Sequence, residues 1–267
     1  NCLHIGTLVN KQEFKMSSLK GKTALITGGG QGVGLGIALA LANEGVNVAL
    51  LGRTMEKLES SCAAVSERGS RALAVACDVT VDADLRTGVD ATIEEFGRLD
   101  ILVNNAQLVP LAPINALTDE AFEDGFKSGP LAVLRMMKYC YPHLKSEGGH
   151  IVNLLSSVMK RWDMSGYGGY AAVKSAIQQL TRAAACEWGP DGIRVNGIMP
   201  HAKSPALANW INTNPEEAEA FQASIPLRRV GECEEDIGAF VMLMCREESR
   251  YLSGQTIALD GGQTFVG

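Results

Sequence analysis

The chain is short of several things, and each shortage closes off a class of protein. Charged residues fill only 20% of its 267 positions, too few for a self-repelling, disordered chain. The formal charge is −6, so the chain lacks the basic surplus of a dedicated nucleic-acid or anionic-membrane binder. No apolar run reaches the roughly 18 residues that a membrane helix needs. Cysteine occurs seven times (Cys2, Cys62, Cys77, Cys140, Cys186, Cys233, Cys245), an odd number without a C-x-x-C pair. That pattern favours reduced thiols in a cytoplasm over a disulfide framework or a zinc site. His4, His143, His150 and His201 show no paired ligand spacing, and no metal is expected. No G-x-S-x-G string occurs, which removes the nucleophile elbow of an α/β hydrolase. Residues 1–15, NCLHIGTLVNKQEFK, have no ordered basic, apolar and small-residue zones. We expect a poorly ordered tail there, native or appended, ahead of a single domain over 16–267.

What is present is a strand–helix beat. TALIT, VNVALLG, ALAVACDV, LDILVNN, GGHIVNLLSS, GIRVNGIMP and TIALD alternate with helical stretches. Parallel strands buried on both faces read as continuous apolar runs. The spacing therefore predicts an α/β protein, a doubly wound parallel sheet of about seven strands with right-handed crossovers. A long helix is predicted over 119–146, bent near Pro130.

Two stretches carry chemistry. The first strand runs into Thr27-Gly28-Gly29-Gly30-Gln31-Gly32-Val33-Gly34 and then a helix. Glycines permit positive φ and close approach of a pyrophosphate, and a helix N-terminus offers amides and partial positive charge to an anion. The second strand ends at Gly52, with Arg53 next. An acidic residue there would hold a ribose 2′-hydroxyl; a guanidinium suits a 2′-phosphate. NADP(H) is therefore expected ahead of NAD(H), the alternative being a solvated arginine that opens a helix. In YGGYAAVK, Tyr170 and Lys174 stand four apart on one helical face. A lysine there would stabilise a phenolate and draw the phenol below its usual pKa. Tyr167 has Ala171 at that distance, and reads as a wall or packing residue.

With these motifs on one scaffold, the chain resembles the short-chain dehydrogenase/reductase family, in particular its 3-oxoacyl-reductase-like branch, over roughly residues 20–266. T-G-x-x-x-G-x-G falls on Thr27 to Gly34, the adenine-side aspartate on Asp78 beside Val79, N-N-A on Asn104-Asn105-Ala106, and Y-x-x-x-K on Tyr170 and Lys174. The resemblance implies a single-domain Rossmann fold and a catalytic set of Ser157, Tyr170 and Lys174. Ser157 is chosen because it stands thirteen residues before the tyrosine; Ser156 is the alternative if the strand carries a bulge. The implied cofactor-binding set is Gly28, Gln31, Gly32, Val33, Gly34, Arg53, Asp78, Val79, Asn105, Ala106, Tyr170, Lys174, Pro200 and Ser204. The implied reaction is hydride transfer between nicotinamide and a ketone or secondary alcohol, with Tyr170 as general acid/base and Lys174 also holding the nicotinamide ribose. Partners would be a small-molecule carbonyl or alcohol and further copies of the chain, as a homotetramer or homodimer.

The sequence departs from that pattern in places. Gln107 replaces the glycine of N-N-A-G, and Gly129 stands where the family has an asparagine that holds a relay water. Ser128 or a further water is the expected substitute. That gap keeps open a second reading, a cofactor-binding regulatory or scaffold protein with impaired turnover. Pro200-His201 replaces Pro-Gly, placing His201 at the pocket mouth. Residues 202–225 are expected to form a mobile lid. Met199, Trp210, Phe221, Trp162 and Met164 are the expected apolar walls.

Overall fold

Runs of Val, Ile, Leu and Ala bounded by Gly, Asn and Asp build the sheet of this computed structural model, which describes residues 18–161 and 165–264. The expected tail at 1–15, Trp162 and Met164 lie outside the described residues. The strands are β1 (Thr23–Thr27), β2 (Asn47–Gly52), β3 (Ala72–Ala76), β4 (Ile101–Asn104), β5 (His150–Leu154), β6 (Arg194–Pro200) and β7 (Thr256–Leu259). They form one sheet in the order β3-β2-β1-β4-β5-β6-β7, and every pairing is parallel. Alternate side chains feed two cores. Ile26, Leu50, Val103 and Val152 point to the face covered by α1 (Gly32–Ala42), α2 (Met55–Ser66) and α9 (Ala239–Met244). Leu25, Leu51, Leu102 and Ile151 point to the face covered by α3 (Asp82–Phe96), α5 (Ala132–Glu147) and α6 (Gly168–Trp188). Burial on both faces is why the strands are mostly apolar, and why polar residues within them, such as Asn104 and Asn153, are themselves buried.

Strand order reverses between β1 and β4, and such a switch point opens a crevice at the carboxyl ends of the strands. The helix predicted over 119–146 is α4 (Asp119–Phe126) running into α5 through a π-helical turn, Lys127–Leu131. Pro130 sits inside that turn. A proline has no N–H for the α-helical ladder, and the wider turn accommodates it. The segment expected as a lid holds two helices, α7 (Pro205–Thr213) and α8 (Pro215–Ser224). Among the described residues no helix is long and apolar enough to cross a membrane.

Candidate active site

The crevice is a cavity of about 570 Å³. At its floor, Gly28 and Gly32 take φ of 67° and 58°, the left-handed region that glycine tolerates. The turn is stitched to the end of β4. Asn105 Nδ2 donates to the Thr27 and Gly28 carbonyls at 2.9 and 3.1 Å, and Thr27 Oγ1 accepts from the amides of Asn105 and Ala106 at 3.0 and 3.1 Å. A Cβ on Gly28 would fall 2.7 Å from Asn105 Nδ2. Asn105 therefore spends its side chain on holding the turn, although it also lines the cavity. Gly34 does not line it; a Cβ there would strike the Gly28 carbonyl. Its expected place in the cofactor set is corrected to one in helix–turn packing. Gln31 caps α1 without a side-chain hydrogen bond, and its Oε1 instead accepts from Lys57 Nζ at 2.8 Å. The first amides of α1 remain for an anion.

At one end of the cavity stand Gly52, Arg53, Lys57, Asp78, Val79 and Thr80. The Thr80 amide and hydroxyl donate to Asp78 Oδ1 at 2.9 and 2.7 Å. Those bonds hold the carboxyl below its usual range, with Arg53 adding a smaller pull. No carboxylate ends β2, and two cations stand beside it. A nicotinamide dinucleotide fits the crevice, with its pyrophosphate on the glycine cradle and its adenine-side ribose at this end. Lys57, in the first turn of α2, escaped the sequence reading, because Arg53 lies before that helix and the two share no helical face.

The other end holds Leu154, Ser156, Tyr170, Lys174, Pro200 and Ser204. A buried chain of amides sets the frame: Asn104 Nδ2 donates to Asn153 Oδ1 at 2.8 Å, and Asn153 Nδ2 to Thr181 Oγ1 at 2.9 Å. It ties β4, β5 and α6 together, and α6 carries the tyrosine and lysine. Ser156, not Ser157, hydrogen-bonds the Tyr170 hydroxyl. Ser157 is buried and does not line the cavity. The choice of Ser157 is corrected for a physical reason. Leu154 pairs with Ile198 and the Leu155 amide donates to the Ile198 carbonyl at 2.7 Å, so β5 leaves the sheet without the bulge to which the Ser156 alternative was tied, and Ser156 reaches the site without one. The strand fixes the side-chain direction of Ser156, whereas the count back from Tyr170 crosses a loop of adjustable path.

Burial pushes the Tyr170 phenol up to about 12; the Ser156 hydrogen bond opposes this, and Tyr167 adds to it. Burial brings the Lys174 amine down to about 7. Its Nζ donates to the Leu154 carbonyl at 2.5 Å and lies 5.5 Å from the centre of the Tyr170 ring. The polypeptide alone does not bring the phenol down as the lysine spacing led us to expect: desolvation outweighs the Ser156 hydrogen bond, and the proton stays on the Tyr170 oxygen.

The expected apolar walls move as well. Met199 is fully buried in the sheet's core. Trp210 and Phe221 stack edge to face with ring centres 5.7 Å apart, and Phe221 meets His201 in the same way at 5.4 Å. None of the four lines the cavity. Ser204 does, while its hydroxyl also caps α7 by accepting from Leu207 N at 3.4 Å. Leu108 and Val109 line the cavity instead, and beyond them Leu111 and Ile114 are exposed, Ile114 to 73%. This loop is pinned to the start of α6. The Ala112 amide donates to the Gly166 carbonyl at 2.9 Å, and Cβ atoms at Gly168 and Gly169 would run into Ile114 and Leu117. Among the described residues no group of three or more metal-ligating side chains forms.

A nucleotide-cradling crevice at a switch point, with a serine, tyrosine and lysine at its far end, is the site of a nicotinamide-dependent oxidoreductase. Residues 28–264 match the family model described as enoyl-(acyl carrier protein) reductase, and the chain belongs to the short-chain dehydrogenase/reductase family. It is 37% identical to a 12alpha-hydroxysteroid dehydrogenase of a Clostridium species, over 92% of this chain and 98% of the relative. It is 33% identical to gluconate 5-dehydrogenase of Gluconobacter oxydans, over 92% and 96%. Among solved structures, levodione reductase superposes with a TM-score of 0.85 at 33% identity, over 91% and 98%. A 7alpha-hydroxysteroid dehydrogenase, complexed with NADH and 7-oxo glycochenodeoxycholic acid, gives 0.85 at 29% identity, over 92% and 95%.

Proposed function

We propose that the protein reduces a bulky, largely apolar ketone with NADPH, or oxidises the corresponding secondary alcohol, with Tyr170 as general acid/base. The observation that carries this reading is one cavity with Arg53 and Lys57 at one end and Ser156, Tyr170 and Lys174 at the other. The nicotinamide, when bound, supplies or accepts the hydride. The chain's own groups do the rest. Ser156 donates to the substrate oxygen and orients it against the Tyr170 hydroxyl, which gives up its proton as negative charge develops there. A phenol that keeps its proton at neutral pH suits the reductive direction. Lys174 and the amides of α1 hold cofactor hydroxyls and phosphates, and Arg53 with Lys57 takes the 2′-phosphate. Leu108, Val109, Leu111 and Ile114 face the substrate's hydrocarbon body, in keeping with the steroid substrates named for two of the relatives. Exposed Phe126, Leu131 and Leu134, on the helical run beside α6, support assembly as a homodimer or homotetramer. The six free thiols among the described residues suit a reducing cytoplasm.

The test is a panel of cyclic and polycyclic ketones followed by NADPH absorbance, with Tyr170→Phe as the blank. Turnover that falls at least about 10²-fold in the blank is expected. Cofactor binding without oxidation of NADPH by any ketone, or full activity in Tyr170→Phe, overturns the proposal.

A further inference from the structure

Gln107 closes the turn after β4, and its carboxamide is out of place by ordinary rules. Both Oε1 and Nε2 are buried without a hydrogen-bond partner among the described residues. A carboxamide brings two donors and an acceptor oxygen, and a buried one left unpaired costs stability. The group is lodged over the π turn. A Cβ built on Gly129 would lie 2.9 Å from Gln107 Nε2 and 2.7 Å from Val173 Cγ1. The carboxamide therefore fills the volume that a side chain at 129 would need, beside the residue that precedes Lys174. Ser128, the expected substitute, is already committed. Its hydroxyl donates to the Asp124 carbonyl at 2.7 Å and accepts from the Leu108 amide at 3.1 Å. That second bond fixes the residue after Gln107 and so sets the direction from which the glutamine enters.

Lys174 presents the complementary deficit. An ammonium carries three donors, and the Leu154 carbonyl is the one acceptor assigned to it among the described residues. An unspent acceptor and unspent donors thus line one cleft. The geometry points to Gln107 as a positioning residue of the active site, whose Oε1 accepts from the Lys174 ammonium through one water and keeps that amine able to replace the proton Tyr170 gives up. Lys174 shares the lining of this cavity with Tyr170 on its own helix, Leu154 and Ser156 at the end of β5, and Ser128 on the π turn. The charged residues of the same cavity, Arg53, Lys57 and Asp78, stand at its other end. The inference rests on the proposed roles of Tyr170 and Lys174, but its first test needs no turnover.

Lysine labelled with carbon-13 in the full chain allows the Lys174 amine to be titrated by NMR, its signal identified by its loss in Lys174→Met. Gln107→Leu, similar in size and without an acceptor, is expected to lower the amine's proton affinity about threefold or more, and Gln107→Glu to raise it by as much. With turnover as the second readout, Gln107→Leu lowers kcat about tenfold, leaves the KM for NADPH within about twofold, and moves the pH profile; Gln107→Glu restores part of kcat. An amine that titrates alike in wild type and both variants overturns the inference, as does a Gln107→Leu protein that only melts higher with an unchanged pH profile. A wild type inert toward every ketone removes the proposed reaction, and the NMR titration still decides the role of Gln107.

Discussion

Lys174 donates to the Leu154 carbonyl at 2.5 Å while its ammonium lies 5.5 Å from the centre of the Tyr170 ring. The pair has opposite leanings. Burial holds the amine near 7 and the phenol near 12, against ordinary values of about 10.4 and 10. In both cases burial disfavours the charged form.

That relationship fixes how stability depends on pH. Below about pH 7 the amine is charged in both folded and unfolded chains, so the full cost of burying the charge is present. Between about pH 7 and 10.5 the unfolded chain binds the extra proton, and the cost falls away as pH rises. Above about pH 10 the phenol acts the other way, because the unfolded chain loses a proton that the folded one keeps up to about 12. Lys174→Met should therefore melt higher than wild type at pH 6, by about 2–4 °C for each kcal/mol gained, with the gap closing towards pH 10. Calorimetry across pH 6–10 checks this; a gap that widens with pH contradicts it.

Ser156 and Ser157 can be told apart by rate. Losing a hydroxyl that donates to the developing oxyanion costs about 10²–10³ in kcat. Ser156→Ala should fall by that factor, whereas Ser157→Ala should stay within about threefold, since its hydroxyl is buried away from the cavity. Steady-state kinetics with one ketone under saturating NADPH decides between them, and the reverse ranking would restore the count from the tyrosine.

The two serines also mark how far the sequence could be read. Strands were legible because burial on both faces leaves continuous apolar runs, and Tyr170 with Lys174 because helical spacing is rigid. The glycine turn was legible because positive φ at Gly28 and Gly32 demands glycine. The serine failed where a count crossed a loop. Gln107 and Gly129 are 22 positions apart and meet only when β4 and the π turn are brought together. The rim at Leu108, Val109, Leu111 and Ile114 was hidden for a similar reason. Its placement depends on Gly166, Gly168 and Gly169 admitting a loop from 50 or more residues earlier.

Cofactor preference should rest on two cations. Arg53→Asp places a carboxylate beside the end of β2, where it repels a 2′-phosphate and accepts from a 2′-hydroxyl. We expect kcat/KM for NADPH to fall about 10²-fold and the preference to move towards NADH. Lys57→Ala should weaken NADPH about tenfold with little effect on NADH, since a charge-assisted hydrogen bond contributes about 1.5–3 kcal/mol. Unchanged NADPH:NADH ratios in both variants would remove the 2′-phosphate from this end of the cavity.

The apolar rim should govern which ketones are used well. Burying hydrocarbon against Leu108 and Val109 contributes about 25 cal/mol per Å², so about 100 Å² of contact corresponds to about 2.5 kcal/mol, or nearly two powers of ten in kcat/KM. A polycyclic ketone should exceed a three- or four-carbon ketone by about that factor. In Leu108→Ser/Val109→Ser the advantage should shrink about tenfold, mostly through KM. The small ketone, which reaches Ser156 and Tyr170 without touching the rim, should be turned over at the wild-type rate. Equal losses for large and small ketones would mean that the loop acts by holding the start of α6, and that the substrate's body lies elsewhere.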